Sequence, residues 1–248
     1  VLTISEYNRN YLADKDLFKG DVTVSKLGID VNELPEGTQP SECSGAVCIA
    51  SGLVPKKGVD VLLKTSEILK DEFPRLKFTV VGSDPDGSLL EKYRKQASHL
   101  PVEFTGTLTS EETLQLTASA EFFVLPCVEA PNGDRDGIPV ALMEAMGMGI
   151  PCISTGLSGV PELIEHGESG LLAKPGSPDS LAEMIKFLIT SPEKAATMGK
   201  RGKDKVISEH SPEKQAFTLT KVFRNVRNLP RKEATDETQA LSRTGKIS

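Results

Sequence analysis

Residues 133–155, GDRDGIPVALMEAMGMGIPCIST, read as a charged loop, a short apolar helix and a buried strand in direct succession. Asp134, Arg135 and Asp136 form the loop. Gly137 lets the backbone turn tightly or approach a ligand closely. Pro139 is expected at the first helical position, where a missing N–H costs nothing. Val140 to Met146 are apolar helix formers apart from β-branched Val140 and charged Glu144. Gly147 and Gly149 should end the helix, and Ile150 to Ser154 should form the strand. The N–H groups of a helix's first turn lack intrahelical partners and carry partial positive charge, so this end suits a phosphate or diphosphate. Eight residues span about two helical turns, which would stack Glu144 roughly above Asp136. A carboxylate in an apolar helix needs a partner. Two readings stay open on spacing alone: ligand hydroxyls supply it, or Glu144 pairs with a nearby cation while Asp136 caps the helix.

Working outward, strand–loop–helix units alternate on both sides of this stretch. Strands are expected at Val1–Ser5, Val22–Leu27, Ala46–Ser51, Lys77–Val81, Val102–Thr105, Phe122–Leu125 and Gly170–Ala173. Helices are expected after Ser5, at Val59–Phe73 and Ser88–His99, from a Ser110 cap, and at Pro161–Ile164. Ser-Pro-acid signals at 177, 191 and 211 open three more helices, each with a cap, a proline in the first turn and an acid against the dipole. Such alternation implies an α/β fold: a Rossmann-like parallel sheet with helices on both faces. Ligands then bind at the carboxyl ends of the strands, here the loops 51–58, 82–87, 105–109, 126–139 and 155–160. A main domain is expected over residues 37–227, with 1–36 ahead of it. Glu33–Ser44 reads as a surface linker, and 228–248 as a disordered tail.

Composition narrows the function. A formal charge of −6 over 248 residues argues against nucleic acid. No apolar run approaches 18 residues, so no transmembrane helix is expected. The four cysteines, at 43, 48, 127 and 152, have no zinc or disulfide spacing, and a reducing, cytoplasmic setting fits. No metal-ligand cluster is visible. His99, His166 and His210 are expected at the surface. Lys57, judged alone, is a solvated lysine beside Lys56.

The sequence D-GIPVALM-EAM-GIPCIST resembles the signature of the family 4 retaining glycosyltransferases, which have the two-domain GT-B architecture. The likeness runs from about Val1 to Val226 and is closest to bacterial exopolysaccharide and colanic-acid-type members. It implies the C-terminal, donor-binding half of such an enzyme, with residues 1–36 as the crossover segment between its two domains and 37–227 as the donor-binding domain. The implied activity is transfer of a hexosyl group from a nucleotide-diphosphate sugar, without metal or cofactor, to a saccharide or lipid-linked acceptor. The acceptor site would lie in an N-terminal domain absent from these residues, leaving the isolated half inactive in transfer. The full enzyme could associate peripherally with a membrane. By position, the resemblance assigns Lys57 to the diphosphate and Asp136 to donor-sugar hydroxyls. It assigns the backbone of Gly137, Ile138, Pro139 and Val140 to sugar and phosphate, and Glu144 to the ribose. Gly82, Thr105 and Gly106 would lie near ribose and base. The family's first acid is Glu, here Asp136. Its phosphate-binding arginine is replaced by Gly52, and guanidinium has no equivalent there. Gly159 and Glu162 match a further Gly-Val-Pro-Glu motif, read from residues alone as a structural turn. The rival reading is a non-catalytic nucleotide-sugar-binding or interaction module. A pyridoxal-dependent phosphorylase or an epimerase of the same architecture is a third reading, without a visible cofactor lysine site.

Overall fold

The computed structural model describes residues 1–37, 45–49 and 51–227. Six strands form one parallel sheet: β3 (Ala46–Ile49), β4 (Phe78–Val81), β5 (Val102–Gly106), β6 (Phe122–Val124), β7 (Cys152–Thr155) and β8 (Leu171–Ala173). Their order is β5-β4-β3-β6-β7-β8. Ahead of them, β1 (Leu2–Thr3) and β2 (Thr23–Val24) pair in parallel as a separate two-stranded sheet, joined by α1 (Glu6–Asp14). The strand residues Phe78, Val80, Phe122, Phe123 and Ile153 are almost fully buried, as expected when helices cover both faces. The helices between strands are α2 (Val59–Leu69), α3 (Ser88–Gln96), α4 (Ser110–Ala118), α5 (Val140–Gly147) and α6 (Val160–Leu163). The chain continues through α7 (Pro178–Thr190), α8 (Pro192–Glu209) and α9 (Pro212–Arg227). The sheet order reverses direction between β3 and β6. In an open α/β sheet that switch point is where the loops part and a ligand crevice opens.

The expected elements are found, with shifted ends. Pro139 is the cap of α5 and not its first residue: its ψ of 126° is extended, and its carbonyl accepts the N–H of Leu142. Thr109, not Ser110, caps α4. Its hydroxyl accepts the Glu112 N–H while the Glu112 carboxylate accepts the Thr109 N–H, and this reciprocal box decides between the two candidate caps. Strands expected at Val1–Ser5 and Val22–Leu27 shrink to two residues each. The helix expected to reach Phe73 stops at Leu69, and the strand expected from Ile150 begins at Cys152. The linker expectation falls partly, and the tail expectation wholly, outside the described residues. Among those residues no helix is long and apolar enough to cross a membrane.

His210 corrects the expectation of three surface histidines. It is fully buried after α8, with Nδ1 3.0 Å from the Leu27 carbonyl and its own carbonyl accepting the Ile29 N–H. The Nε2 atom has no partner. Burial pushes its pKa below the usual histidine value, outweighing the Leu27 carbonyl; Lys26 and Lys205 also disfavour the cation, and Glu209 favours it. The unfolded chain therefore binds the proton more tightly, and stability must fall as pH drops below about 6.5. We expect the wild-type melting temperature to fall more steeply below that pH than that of His210→Gln. The limiting contribution is about 1.4 kcal/mol per pH unit for one proton. Parallel pH profiles of the two proteins would refute the assignment.

Candidate functional site

Lys57 stands in the loop after β3, and Asp136 in the loop after β6, on either side of the switch point. The structure brings them together: Lys57 Nζ lies 2.8 Å from Asp136 Oδ2. Lys56 Nζ lies 3.5 Å from Asp136 Oδ1 and 3.0 Å from Asp134 Oδ2. Its hydrogen bond to Asp134 leads the causes that raise the Lys56 pKa, against a smaller opposing effect of burial. The Cys127 thiol donates to Asp136 at 3.7 Å. Burial, with Asp136 beside it, pushes that thiol up to about 12, so it is no nucleophile at neutral pH. Lys57, a solvated lysine when judged alone, is a half-buried member of a four-charge cluster with Lys56, Asp134 and Asp136. The Lys-Lys pair was the only available signal.

The loop is held by backbone approaches that allow no side chain. Gly58 has φ +71°, and a Cβ there would sit 1.9 Å from the Pro126 carbonyl oxygen. The Lys56 carbonyl accepts the Val128 N–H, and the Thr155 hydroxyl donates to the Cys127 carbonyl. These contacts fasten the two switch-point loops to each other and to β7.

The expected stacking of Glu144 over Asp136 is not found. The helix begins at Val140, so the two-turn spacing does not apply to Asp136, which turns to the lysines. Glu144 lines a different cavity of about 310 Å³ with Leu108, Ser110, Thr113, Leu114, Val140 and Ala141. It makes no ion pair among the described residues, and burial raises its pKa. Asp136 does not cap α5 either. Both halves of the structural alternative are thereby removed. Val140, 50% exposed, rims this cavity, whereas the Ile138 side chain is core, leaving only its backbone for a ligand. Gly82 and Gly106 form a bridge in which Gly82 N–H donates to the Gly106 carbonyl at 2.9 Å. The Thr105 hydroxyl donates to that same carbonyl. The loop from Gly106 continues to Leu108, in the Glu144 cavity. The Asp84 carboxylate accepts the N–H groups of Leu89 and Leu90 in the first turn of α3, a role the sequence pattern does not single out. Burial works against it, but the Leu89 and Leu90 N–H groups outweigh that and hold its pKa at about 2.

Gly52, where the resemblance places an arginine, has φ +73°. A side chain would have room, since only Val54 lies near. The left-handed backbone would nonetheless cost arginine about 1–2 kcal/mol. Arg135 does not replace the missing charge at the Asp136 cluster. Its guanidinium donates to the Tyr7 hydroxyl at 2.5 Å, lies 3.1 Å from the Glu129 carboxylate and sits over the Tyr11 ring. Glu162 is structural: its carboxylate accepts the N–H groups of Glu6 and Tyr7, the opening of α1. Gly159 is required by close packing, since a Cβ would meet Ile138 at 2.9 Å.

Comparison with known proteins adds a family match, two relatives and a solved structure. The sequence profile described as "Glycosyl transferases group 1" matches residues 32–205. A protein of Escherichia coli K12 provisionally named as a colanic acid biosynthesis glycosyltransferase, WcaL, is 32% identical over 223 residues, covering 88% of this chain and 54% of WcaL. A GDP-mannose-dependent alpha-(1-6)-phosphatidylinositol monomannoside mannosyltransferase of Mycobacterium tuberculosis is 30% identical over 182 residues, covering 71% of this chain and 46% of that protein. The chain thus spans about half the length of the curated relatives it matches. Anabaena Alr3699/HepE, solved in complex with UDP and glucose, superposes with a TM-score of 0.76 at 22% identity, over 91% of this chain and 63% of that one. That likeness establishes a shared GT-B-type Rossmann-like fold.

Proposed function

Because the chain belongs to the group 1 glycosyl transferases, we propose that it supplies the donor-binding half of a retaining, metal-independent, family 4 hexosyltransferase. Residues 37–227 would form the donor unit and 1–36 the crossover. The observation that carries this reading is the pairing of Lys57 with Asp136 at the switch point, beside the open N-terminus of α5. The diphosphate would lie at the α5 mouth, drawing Lys57 away from Asp136. Asp136 would then accept donor-sugar hydroxyls, and Glu144 the ribose hydroxyls. The Leu108–Thr113 wall would face the nucleoside. No cofactor takes part.

In transfer, the bond from the sugar's anomeric carbon to the diphosphate oxygen breaks. The acceptor oxygen bonds to the same face of that carbon, and its proton passes to the leaving phosphate. Lys57 and the helix N–H groups would stabilise the charge that develops there. The relatives' names fit a saccharide or lipid-linked acceptor and polysaccharide biosynthesis, for an enzyme working in the cytoplasm and touching a membrane only peripherally. The free, buried thiols of Cys48, Cys127 and Cys152 suit that compartment. The non-catalytic module remains the second reading, favoured by the left-handed Gly52 in the arginine's place.

Titration of chelator-treated protein with UDP, GDP and ADP tests the site: saturable binding of at least one is expected. Glu144→Gln should weaken that binding roughly ten- to a hundredfold, the worth of a charge-assisted hydrogen bond. Its melting temperature should hold or rise, because burial already disfavours the Glu144 charge. A lower melting temperature with unchanged affinity would return Glu144 to a structural role. Slow donor hydrolysis would separate the enzyme reading from the binding module, which gives none.

A further inference from the structure

Two ammonium groups converge on the Asp136 carboxylate, one towards each oxygen: Lys57 Nζ at 2.8 Å from Oδ2 and Lys56 Nζ at 3.5 Å from Oδ1. Like charges this close repel unless an anion lies between them. The two lysines therefore frame a seat for an anion, which Asp136 fills in the free protein. Lys56 is the less firmly held of the two. Its distance to Asp136 exceeds that of an N–H···O hydrogen bond. Its nearer partner, Asp134 at 3.0 Å, has a side chain 50% exposed, against 12% for Asp136. Solvent screens a pair of that kind, so an arriving anion can take the ammonium at little cost. The Lys56 backbone, by contrast, is fixed. Its carbonyl accepts the Val128 N–H at 2.9 Å, and Gly58 packs against the Pro126 carbonyl. A diphosphate at this place needs the second charge. The terminal phosphate of a nucleoside diphosphate alone carries about −1.5 to −2 at pH 7. Lys57 offers one positive charge, and the α5 mouth adds only about +0.5. Gly52 has no side chain to contribute, and Arg135 is committed to Glu129, the Tyr7 hydroxyl and the Tyr11 ring.

We infer that Lys56 is a second diphosphate-binding cation of this site, turning with Lys57 from the two aspartates onto the ligand. The inference rests on the donor-site reading proposed above. Calorimetry tests it at fixed ionic strength, with whichever of UDP, GDP or ADP the chain holds and with the matching nucleoside. Lys56→Gln should weaken diphosphate binding about tenfold, the low end for a charge-assisted hydrogen bond because Asp134 competes for the ammonium. Nucleoside affinity and melting temperature should stay the same, and Lys56→Arg, which keeps the charge, should lose less. Asp134→Asn should act in the opposite direction: it releases Lys56, so the diphosphate should bind more tightly. In the Lys56→Gln background that gain should vanish. A gain that persists there would come from the lost Asp134 charge acting through space, and would overturn the role of Lys56. So would unchanged diphosphate affinity in Lys56→Gln beside a loss in Lys57→Ala, which would leave the donor site standing with one lysine. Equal loss of nucleoside and diphosphate affinity, with a lower melting temperature, would make Lys56 a fastening of the loop and overturn the inference as well. Absence of nucleoside diphosphate binding in the unaltered chain would sink the donor site itself, and Lys56 with it.

Discussion

Lys57→Ala is expected to lower affinity for a nucleoside diphosphate roughly ten- to a hundredfold, while the affinity for the bare nucleoside stays the same. A charge-assisted hydrogen bond contributes about 1.5–3 kcal/mol, and about 1.4 kcal/mol is tenfold. In the free protein Lys57 is paired with Asp136 at 2.8 Å. Phosphate must therefore compete with that carboxylate, which puts the expected loss toward the tenfold end of this range. Asp136→Asn supplies the opposite sign: the freed lysine should hold the diphosphate as tightly as before or tighter, while a nucleotide sugar loses its hydroxyl partner and binds more weakly. Calorimetry with diphosphate and nucleotide sugar, in both variants, separates the two roles. Equal diphosphate affinity in wild type and Lys57→Ala would remove Lys57 from the phosphate site.

Gly58→Ala should give the largest loss of stability among single-methyl additions in this loop. The new Cβ would stand 1.9 Å from the Pro126 carbonyl oxygen, a backbone atom with no rotamer to yield. The φ of +71° adds the left-handed penalty of about 1–2 kcal/mol. Overpacking adds about 1–3 kcal/mol, so a loss of roughly 3 kcal/mol is expected, or about 6–12 °C in melting temperature. The displaced loop also carries Lys57, so diphosphate binding should weaken in the fraction that folds. Gly156→Ala is the control: nothing lies within 4 Å of its added Cβ, and its stability should stay within about 0.5 kcal/mol. Matching melting curves for the two variants would show that the close approach of the β3 and β6 loops is not a constraint.

Much of this architecture was legible in the chain. Apolar runs bounded by glycine and proline marked every strand of the main sheet, and Ser-Pro-acid signals marked α7, α8 and α9, because local propensity and burial pattern act over a few residues. Ends were less legible. Thr109 and Ser110 are equally good caps in isolation, and only the carboxylate of Glu112 folding back selects Thr109. His210 reads as polar and terminal. It is buried because the Leu27–Ile29 segment, far off in sequence, lies across it.

By itself the sequence determined the Rossmann-like class, the loops at the carboxyl ends of the strands and the chemical types available there: lysine, acids and a helix N-terminus. It could do so because periodicity and turn chemistry are short-range. Only the tertiary structure decided how those groups combine. The strand order β5-β4-β3-β6-β7-β8 places the loop of Lys57 against the loop of Asp136. The start of α5 at Val140 sends Asp136 and Glu144 into separate cavities. The docking of α1 on Glu162 brings Tyr7 and Tyr11 to Arg135. Each of these contacts joins segments distant in the chain, and their geometry follows from how sheets and helices pack, which no local pattern encodes.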